Sequence, residues 1–449
     1  MESGATETTW WSLRALRFPA TACLGYLVPQ FSEWEAQQGG LSTDGPTSHA
    51  LHYLFEAGIE RPGAAAPNLS GSRTSRGDAA ETKDPASPQD KASGTVPEIT
   101  ASIGSDKAET TLWTQLEAIR EASRNRSVGL LTSLAPVDRS ALQRLAWRGL
   151  PDTLRAMAWK MLLDYCPMQP SRLLKSVGRK REQYWQAVAD LGLVSGPRLD
   201  GRLSSEDWVR KRQIDLDVPR TAPECPLFHT SAIQDTMTRI LHLWSVRHPA
   251  SGYVQGLNDI LVPLVYVFYA DHAPEQFQLD RTLVPEQAEP LLRDAEADAY
   301  WCLCALLDAL QDQYVFAQPG IQRRVQYLER LMQRIDAPLC AHLAEQNVAF
   351  MQFAFRWMNC LLVREFPLPV TLRLWDAYLS ERGTFAAFHV YVCAALLVRF
   401  SAELQQRQFP ELVLFLQNLP TRDWTEQDIS LLLSQAYLWK AVFADARRL

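Results

Sequence analysis

The sequence predicts an all-α, many-helix domain that follows a long N-terminal tail without a core of its own. Two observations predict the helices. Residues 231–247 carry apolar side chains at Ile233, Met237, Ile240, Leu241 and Trp244, a spacing that lines one face of a helix. Residues 350–363, 370–379 and 385–400 are apolar on most sides, as helices inside a core are. A third observation removes the alternatives: no run alternates at period two, and no internal repeat of about 20 to 50 residues is visible.

The tail is read from composition. Residues 57–110 are rich in Ala, Ser, Thr, Gly, Pro, Asp and Lys and nearly free of large apolar side chains. Such a segment buries too little surface to offset the entropy of ordering, so disorder is expected. Residues 1–56 form a separate segment, in which 10–18 (WWSLRALRF) has the pattern of a short amphipathic helix, suited to loose docking or to a partner or membrane surface. From about Asp138 the helical pattern is nearly continuous. Proline and glycine punctuate it at Gly149-Leu150-Pro151, Pro319-Gly320, Pro338, Pro367, Pro369 and Pro410. Residues 271–293, with three prolines and several charges, read as a loop inserted between helices.

Composition and motif screening narrow the function. A net charge of −6 and a pI near 5.8 argue against a general nucleic-acid binder. The eight cysteines, at 23, 166, 225, 302, 304, 340, 360 and 393, form no CxxC pair and no cluster at zinc spacing. They read as buried thiols in a reducing compartment. No two of the eight histidines are spaced as a metal pair, and His248 and His389 read as hydrogen-bonded structural side chains. The nearest approach to a membrane span, 18–31, is short and broken by Pro19 and Pro29. Glu2 and Glu7 do not suit a signal or transit peptide, so a cytosolic protein is expected. There is no GxxxxGK loop followed by Ser or Thr, no GxGxxG after a strand, no HExxH and no GxSxG, and nucleotide binding by this chain alone is not expected. The basic run 175–181 (KSVGRKR) reads as a solvated helix face, with acidic lipid or phosphate as the other reading.

The informative stretch is 213–260. Arg220 lies in QIDLDVPRTAPECPLF, flanked by Pro219, Pro223 and Pro226. Those prolines predict a stiff, extended loop from which a guanidinium projects into a partner's site at little ordering cost. Taken alone, the same arginine could equally pair with Asp217 or Asp215. In HPASGYVQGLNDI (248–260), Pro249 and Gly252 predict a break, followed by a helix from Tyr253 with Gln255 in its first turn beside Gly256. A primary amide both accepts and donates, which is what orienting a water against a phosphoryl group requires. An ordinary polar residue at a helix start fits the same pattern.

Together these pieces carry a resemblance. Ile214-x-x-Asp217-x-x-Arg220 followed by Tyr253-x-Gln255 resembles the paired fingerprint of the TBC-domain Rab GTPase-activating proteins. Gly149-x-Pro151-x-x-x-Arg155-x-x-x-Trp159 is similar to that family's opening motif, and Arg373-Leu374-Trp375-Asp376 to a helix of its second half. The likeness runs from about Leu145 to Phe443. The stretches LHLWSVRHPASGYVQGLNDI, AQPGIQR, FAFRWMNCLLVREFPL and LLLSQAYLWK are most similar to the branch holding the yeast early-Golgi Rab activator and its animal relatives.

The resemblance implies a two-lobed, V-shaped, all-helical domain, with residues 138–345 as the first lobe and 346–449 as the second. It implies a GTP-bound Rab as partner, no cofactor beyond the GTP and Mg that the Rab carries, and peripheral work at Golgi or other endomembranes in vesicle trafficking. Arg220 would be an arginine finger and Gln255 a glutamine finger. Ile214, Asp217, Tyr253, Gly256, Asn258 and Asp259 would support them. Gly149, Pro151, Arg155, Trp159, Arg373, Trp375 and Asp376 would be architectural. A catalytically silent scaffold of the same family is the alternative, and retention of both finger residues argues against it. Which Rab is served, the oligomeric state and the role of the tail are not legible.

Overall fold

The computed structural model describes residues 98–193, 205–272, 289–315, 317–381 and 383–443. Within them, every regular element is a helix. The first third holds α1 (Glu98–Arg124), α2 (Val128–Ser133), α3 (Arg139–Arg148), α4 (Asp152–Leu162) and α5 (Leu173–Asp190). The middle holds α6 (Ser205–Asp217), α7 (Ser231–Arg247), α8 (Leu257–His272), α9 (Glu289–Asp308), α10 (Gln311–Tyr314), α11 (Pro319–Ile335) and α12 (Ala337–Glu345). The last part holds α13 (Met351–Cys360), α14 (Leu368–Ser380), α15 (Phe385–Arg399), α16 (Ser401–Leu404), α17 (Phe409–Gln417) and α18 (Glu426–Phe443). The segment 1–56 and the residues up to 97 lie outside the described residues. Helix α1 begins at Glu98, so helices precede Asp138, from which the sequence pattern reads as helical. Asp271 and His272 end α8 and Glu289 begins α9, so only 273–288 remain between them, and those lie outside the described residues.

Helices α8, α14 and α15 are apolar nearly all round and form the interior, with Phe268, Leu374, Trp375, Phe388 and Leu396 essentially without exposure. Helix α11 is the contrasting kind: Ile321, Val325, Leu328, Leu331 and Met332 are buried on one face and the rest is polar. Helix α14 packs on α3, α15 on α18, α8 on α9, and α11 on both α13 and α15.

Buried carboxylates join helices that are remote in sequence. Asp376 on α14 has no exposure and accepts from Leu150 N (3.0 Å), Arg155 Nε (3.1 Å) and Trp159 Nε1 (2.7 Å). Arg155 also donates to Leu150 O at 2.7 Å and pairs with Asp152. Arg373 Nη2 donates to Trp147 O at 2.9 Å. Gly149 sits between, at φ 109°, where an added Cβ would fall 2.8 Å from Arg373 Nε. The two architectural motifs are therefore halves of one clamp. Arg155 and Trp159, four residues apart on α4, share a face and meet the same carboxylate.

A second joint lies on α9. Glu296 accepts from Tyr184 OH (2.6 Å), Thr236 Oγ1 (3.0 Å) and Arg239 (2.7 and 2.8 Å). Two residues on, Asp298 meets Lys160 Nζ at 2.8 Å and Arg181 at 2.8 Å. Burial opposes ionisation of Asp298, but the two cations prevail and hold it well below the usual carboxylate range. The run 175–181 is a solvated face only in part: Lys175 and Arg179 are exposed, whereas its C-terminal end is engaged. Arg181 turns inward to Asp298 and Asp294, and Lys180 lies over the Tyr165 ring.

The seven described cysteines are free thiols, all but Cys340 buried, and Cys23 lies outside the described residues. His248 caps α7, its Nδ1 2.8 Å from Trp244 O and its ring stacked on Trp244. His389 is fully buried, with Nδ1 2.7 Å from Tyr378 OH and Nε2 3.0 Å from Trp357 O. A carbonyl only accepts, so Nε2 carries the proton and Nδ1 accepts from the tyrosine. Among the described residues no helix is long and apolar enough to cross a membrane.

Burial lifts the Asp376 carboxyl to about 6, against the pull of Arg155 and two N–H donors. Asp376→Asn keeps the shape but leaves the Arg155 charge without its buried partner, with only the exposed Asp152 still paired to it. Unfolding in urea should show a loss of about 3 to 5 kcal/mol; a loss below about 1 kcal/mol would show that the clamp is dispensable. His389 supplies a pH test. Burial lowers its pKa from 6.5 to about 3. Between those values the unfolded chain binds the extra proton, so this contribution is intact above pH 6.5 and is lost as pH falls toward 3. His389→Gln should flatten the plot of stability against pH between 6.5 and 4 by about one proton, or about 1.4 kcal/mol per pH unit. An unchanged slope would contradict the assignment.

Candidate functional site

Two short segments make the site. Helix α6 ends at Asp217, and Val218–Arg220 continue it as a single 3-10 turn before Thr221 becomes extended. This corrects the expectation of an extended loop at Arg220. Proline breaks a helix interior but fits a first turn, where its missing N–H is not needed, and Pro219 sits there. The stiffness is retained by other means. Ile214 is buried in the core beneath the end of α6, and Thr221 closes the turn, its N donating to Val218 O (3.1 Å) and its Oγ1 to Asp217 O (2.9 Å).

Asp217 has no exposure and accepts from Tyr253 OH (2.8 Å), Gln213 Nε2 (3.2 Å) and Arg220 Nη2. The guanidinium is thus docked by one nitrogen on a buried carboxylate. Its Nε and Nη1 have no partner among the described residues, and the side chain is 36% exposed. Burial, and then the neighbouring Asp217 charge, raise the Tyr253 phenol well above its ordinary value, so the hydroxyl remains a donor to Asp217.

The second segment, 252–256, precedes α8 instead of opening it. Helix α8 begins at Leu257, and the Gly256 carbonyl accepts from Ile260 N at 3.2 Å. Gln255 therefore stands just outside the helix, not in its first turn. The cause is Gly256, whose φ of 105° no helical residue adopts. Asn258 Oδ1 accepts from Gly256 N (3.1 Å), and Asn258 Nδ2 donates to Thr221 Oγ1 (2.9 Å). With the Tyr253–Asp217 bond, this stitches the glutamine segment to the arginine turn. The Gln255 carbonyl accepts from Asn359 Nδ2 at 2.8 Å, and its side-chain amide has no hydrogen-bond partner among the described residues.

Of the residues singled out in the sequence, Ile214, Asp217, Arg220, Tyr253, Gln255, Gly256 and Asn258 come together here. Asp259 is near enough to feel the charges of Asp217 and Arg220, but its direct contacts lie elsewhere. It is buried toward the C-terminal end of α13 and the turn after it, 3.6 Å from Cys360 Sγ and 3.9 Å from Arg364. Burial raises its carboxyl despite that arginine. Gly149, Pro151, Arg155, Trp159, Arg373 and Asp376 form the separate clamp, with Trp375 packed on Trp159. Three participants are absent from the sequence motifs: Gln213, Thr221 and Asn359. Only Asn359 carries a signal, as the one amide in the apolar run from Trp357 to Val363, because a buried polar side chain must find a partner.

The chemistry on offer is a fork of guanidinium donors and a primary amide, both held by their backbones and both with atoms to spare. This suits neutralising charge and orienting a small molecule on another protein's bound group.

Residues 152–405, which include both segments and the second half of the clamp, match the family described as Rab-GTPase-TBC domain. Over 370 residues the chain is 42% identical to TBC1 domain family member 22A of Homo sapiens, covering 82% of this chain and 69% of that protein. It is 44% identical over 331 residues to GTPase-activating protein gyp1 of Schizosaccharomyces pombe, covering 72% of this chain and 62% of that one. The crystal structure of the Ypt/Rab-GAP domain of Gyp1p superposes with a TM-score of 0.65 at 39% identity, over 73% of this chain and 99% of that domain. With more than half of its length inside the matched region and the same fold around it, this chain belongs to the Rab-GTPase-TBC domain family.

Proposed function

We propose that this protein is a GTPase-activating protein for a Rab-family GTPase, and that it acts by inserting Arg220 and Gln255 into the partner's nucleotide site. The observation that carries this reading is the stitched pair of segments. The Tyr253–Asp217 and Asn258–Thr221 bonds fix the backbones that bear a guanidinium and an amide, and leave donors of both side chains uncommitted. The partner brings the GTP and the Mg, and this chain supplies no cofactor. Arg220 keeps one nitrogen on Asp217 and turns the others to the β- and γ-phosphate oxygens, where negative charge grows as the bond breaks. Such an arginine contributes about 10³ to 10⁵ in rate. Gln255 accepts from the attacking water and donates to the phosphoryl group. Asp217 has a double duty, holding Tyr253 on one oxygen and the finger on the other. The setting that fits this activity is a cytosolic protein meeting its GTPase at the surface of Golgi or related membranes.

Arg220→Lys tests the proposal. Lysine keeps the charge and a contact with Asp217, but loses the planar fork that spans two phosphate oxygens. Single-turnover GTP hydrolysis by a stimulated Rab should slow by at least about 100-fold, with the melting temperature essentially that of wild type. A variant as active as wild type would remove Arg220 from the reaction.

A further inference from the structure

The glutamine segment is held from two sides. On one side lie the bonds to Asp217 and Thr221. On the other stands Asn359, near the end of α13, 104 positions further along the chain. Asn359 is buried, and its surroundings leave its amide one strong bond. Nδ2 donates to Gln255 O at 2.8 Å, while Oδ1 lies 3.5 Å from Gln318 Nε2. Its main chain is anchored separately, where Tyr314 OH donates to Asn359 O at 2.9 Å. The fit at Gly256 is close: a Cβ there would lie 2.3 Å from Asn359 Nδ2. Glycine at 256 therefore meets two requirements, a φ of 105° and room for this amide.

Among the described residues the Gln255 side-chain amide has no hydrogen bond of its own, so the placement of its backbone governs where the amide can reach. We infer that Asn359 is a positioning residue for Gln255, its Nδ2–Gln255 O bond fixing the peptide from which the glutamine amide reaches the partner's water. This rests on the reading of Gln255 as a finger. It also gives the second half of the chain a part in a motif that lies in the middle of the sequence. Asparagine suits the task because it places a planar NH₂ donor one short side chain away from a glycine. A carboxylate of the same shape would set an acceptor against a carbonyl, and an alanine would leave that carbonyl buried without its donor.

A double-mutant cycle on the full chain tests it, read by single-turnover hydrolysis on a GTP-loaded Rab that the wild-type protein stimulates. The four proteins are wild type, Asn359→Ala, Gln255→Ala and the double variant. Displacing a positioned group by a fraction of an ångström to about an ångström costs roughly 10- to 100-fold. Asn359→Ala should therefore slow the wild-type reaction by about that factor, leave the affinity for the GTP-loaded Rab within about threefold, and slow the Gln255→Ala protein by less than about twofold. Asn359→Leu, close in shape and without the donor, repeats the measurement should the alanine variant unfold. Equal slowing in both backgrounds would mean a general structural role and would overturn the inference, as would a wild-type rate for both Asn359 variants. A wild-type rate for Gln255→Ala alone would be a different failure: it removes the glutamine finger itself, and the inference with it.

Discussion

Asp376 sits out of contact with water, and a carboxylate in that position has to be met by donors or it destabilises the fold around it. Here the donors are a backbone N–H, a guanidinium and an indole, all from the stretch 150–159. The same solution recurs at Glu296, Asp298 and Asp217. Each of these acids is buried, and each collects partners from segments that are not neighbours in sequence. Apolar packing of α8, α14 and α15 provides the driving force for folding, but it is not directional. The acids supply registry, because a helix displaced by one turn would strand a buried charge.

The functional site uses that device at its smallest scale. Asp217 binds Tyr253 from the glutamine segment and Arg220 from its own, so one carboxylate relates the segments that bear the two proposed fingers. An arginine resting on Asp217 has already lost much of its rotamer freedom, which under the proposed function lowers the entropy still to be lost at the partner's phosphates. The same contact leaves two nitrogens uncommitted, so the anchor and the outward reach are compatible.

How much of this is legible in the sequence depends on the range of each interaction. The periodicity at 231–247 and the apolar runs at 370–379 and 385–400 are local signals, and they coincide with α7, α14 and α15 to within two residues. The two finger segments stand out in the sequence, but their immediate conformations do not. Proline at 219 reads as a breaker, whereas it opens a 3-10 turn. The pattern around Gln255 reads as the start of a helix, whereas the positive φ of Gly256 delays that helix to Leu257. The spacing of Arg155 and Trp159 puts them on one face, but no spacing rule names Asp376, 217 positions beyond Trp159, as the group they share. The partner of Asn359 is hidden for the same reason. The meaning of this asparagine lies in a contact with a peptide that neither its own helix nor its neighbours in sequence announce.

Under the proposed function this protein supplies two groups to its partner, a charge from Arg220 and a water-orienting amide from Gln255. A Rab whose own switch glutamine is changed to leucine isolates the second group, since such a GTPase orients its water poorly by itself. Phosphate release would be measured for normal and Gln→Leu Rab, each with wild type and with Gln255→Ala. The Gln→Leu Rab should remain substantially sensitive to the wild-type protein and become insensitive to Gln255→Ala, while the complex still forms. A Gln→Leu Rab inert to the wild-type protein, together with a Gln255→Ala variant that stimulates normal Rab undiminished, would contradict the two-group reading and leave Arg220 acting alone.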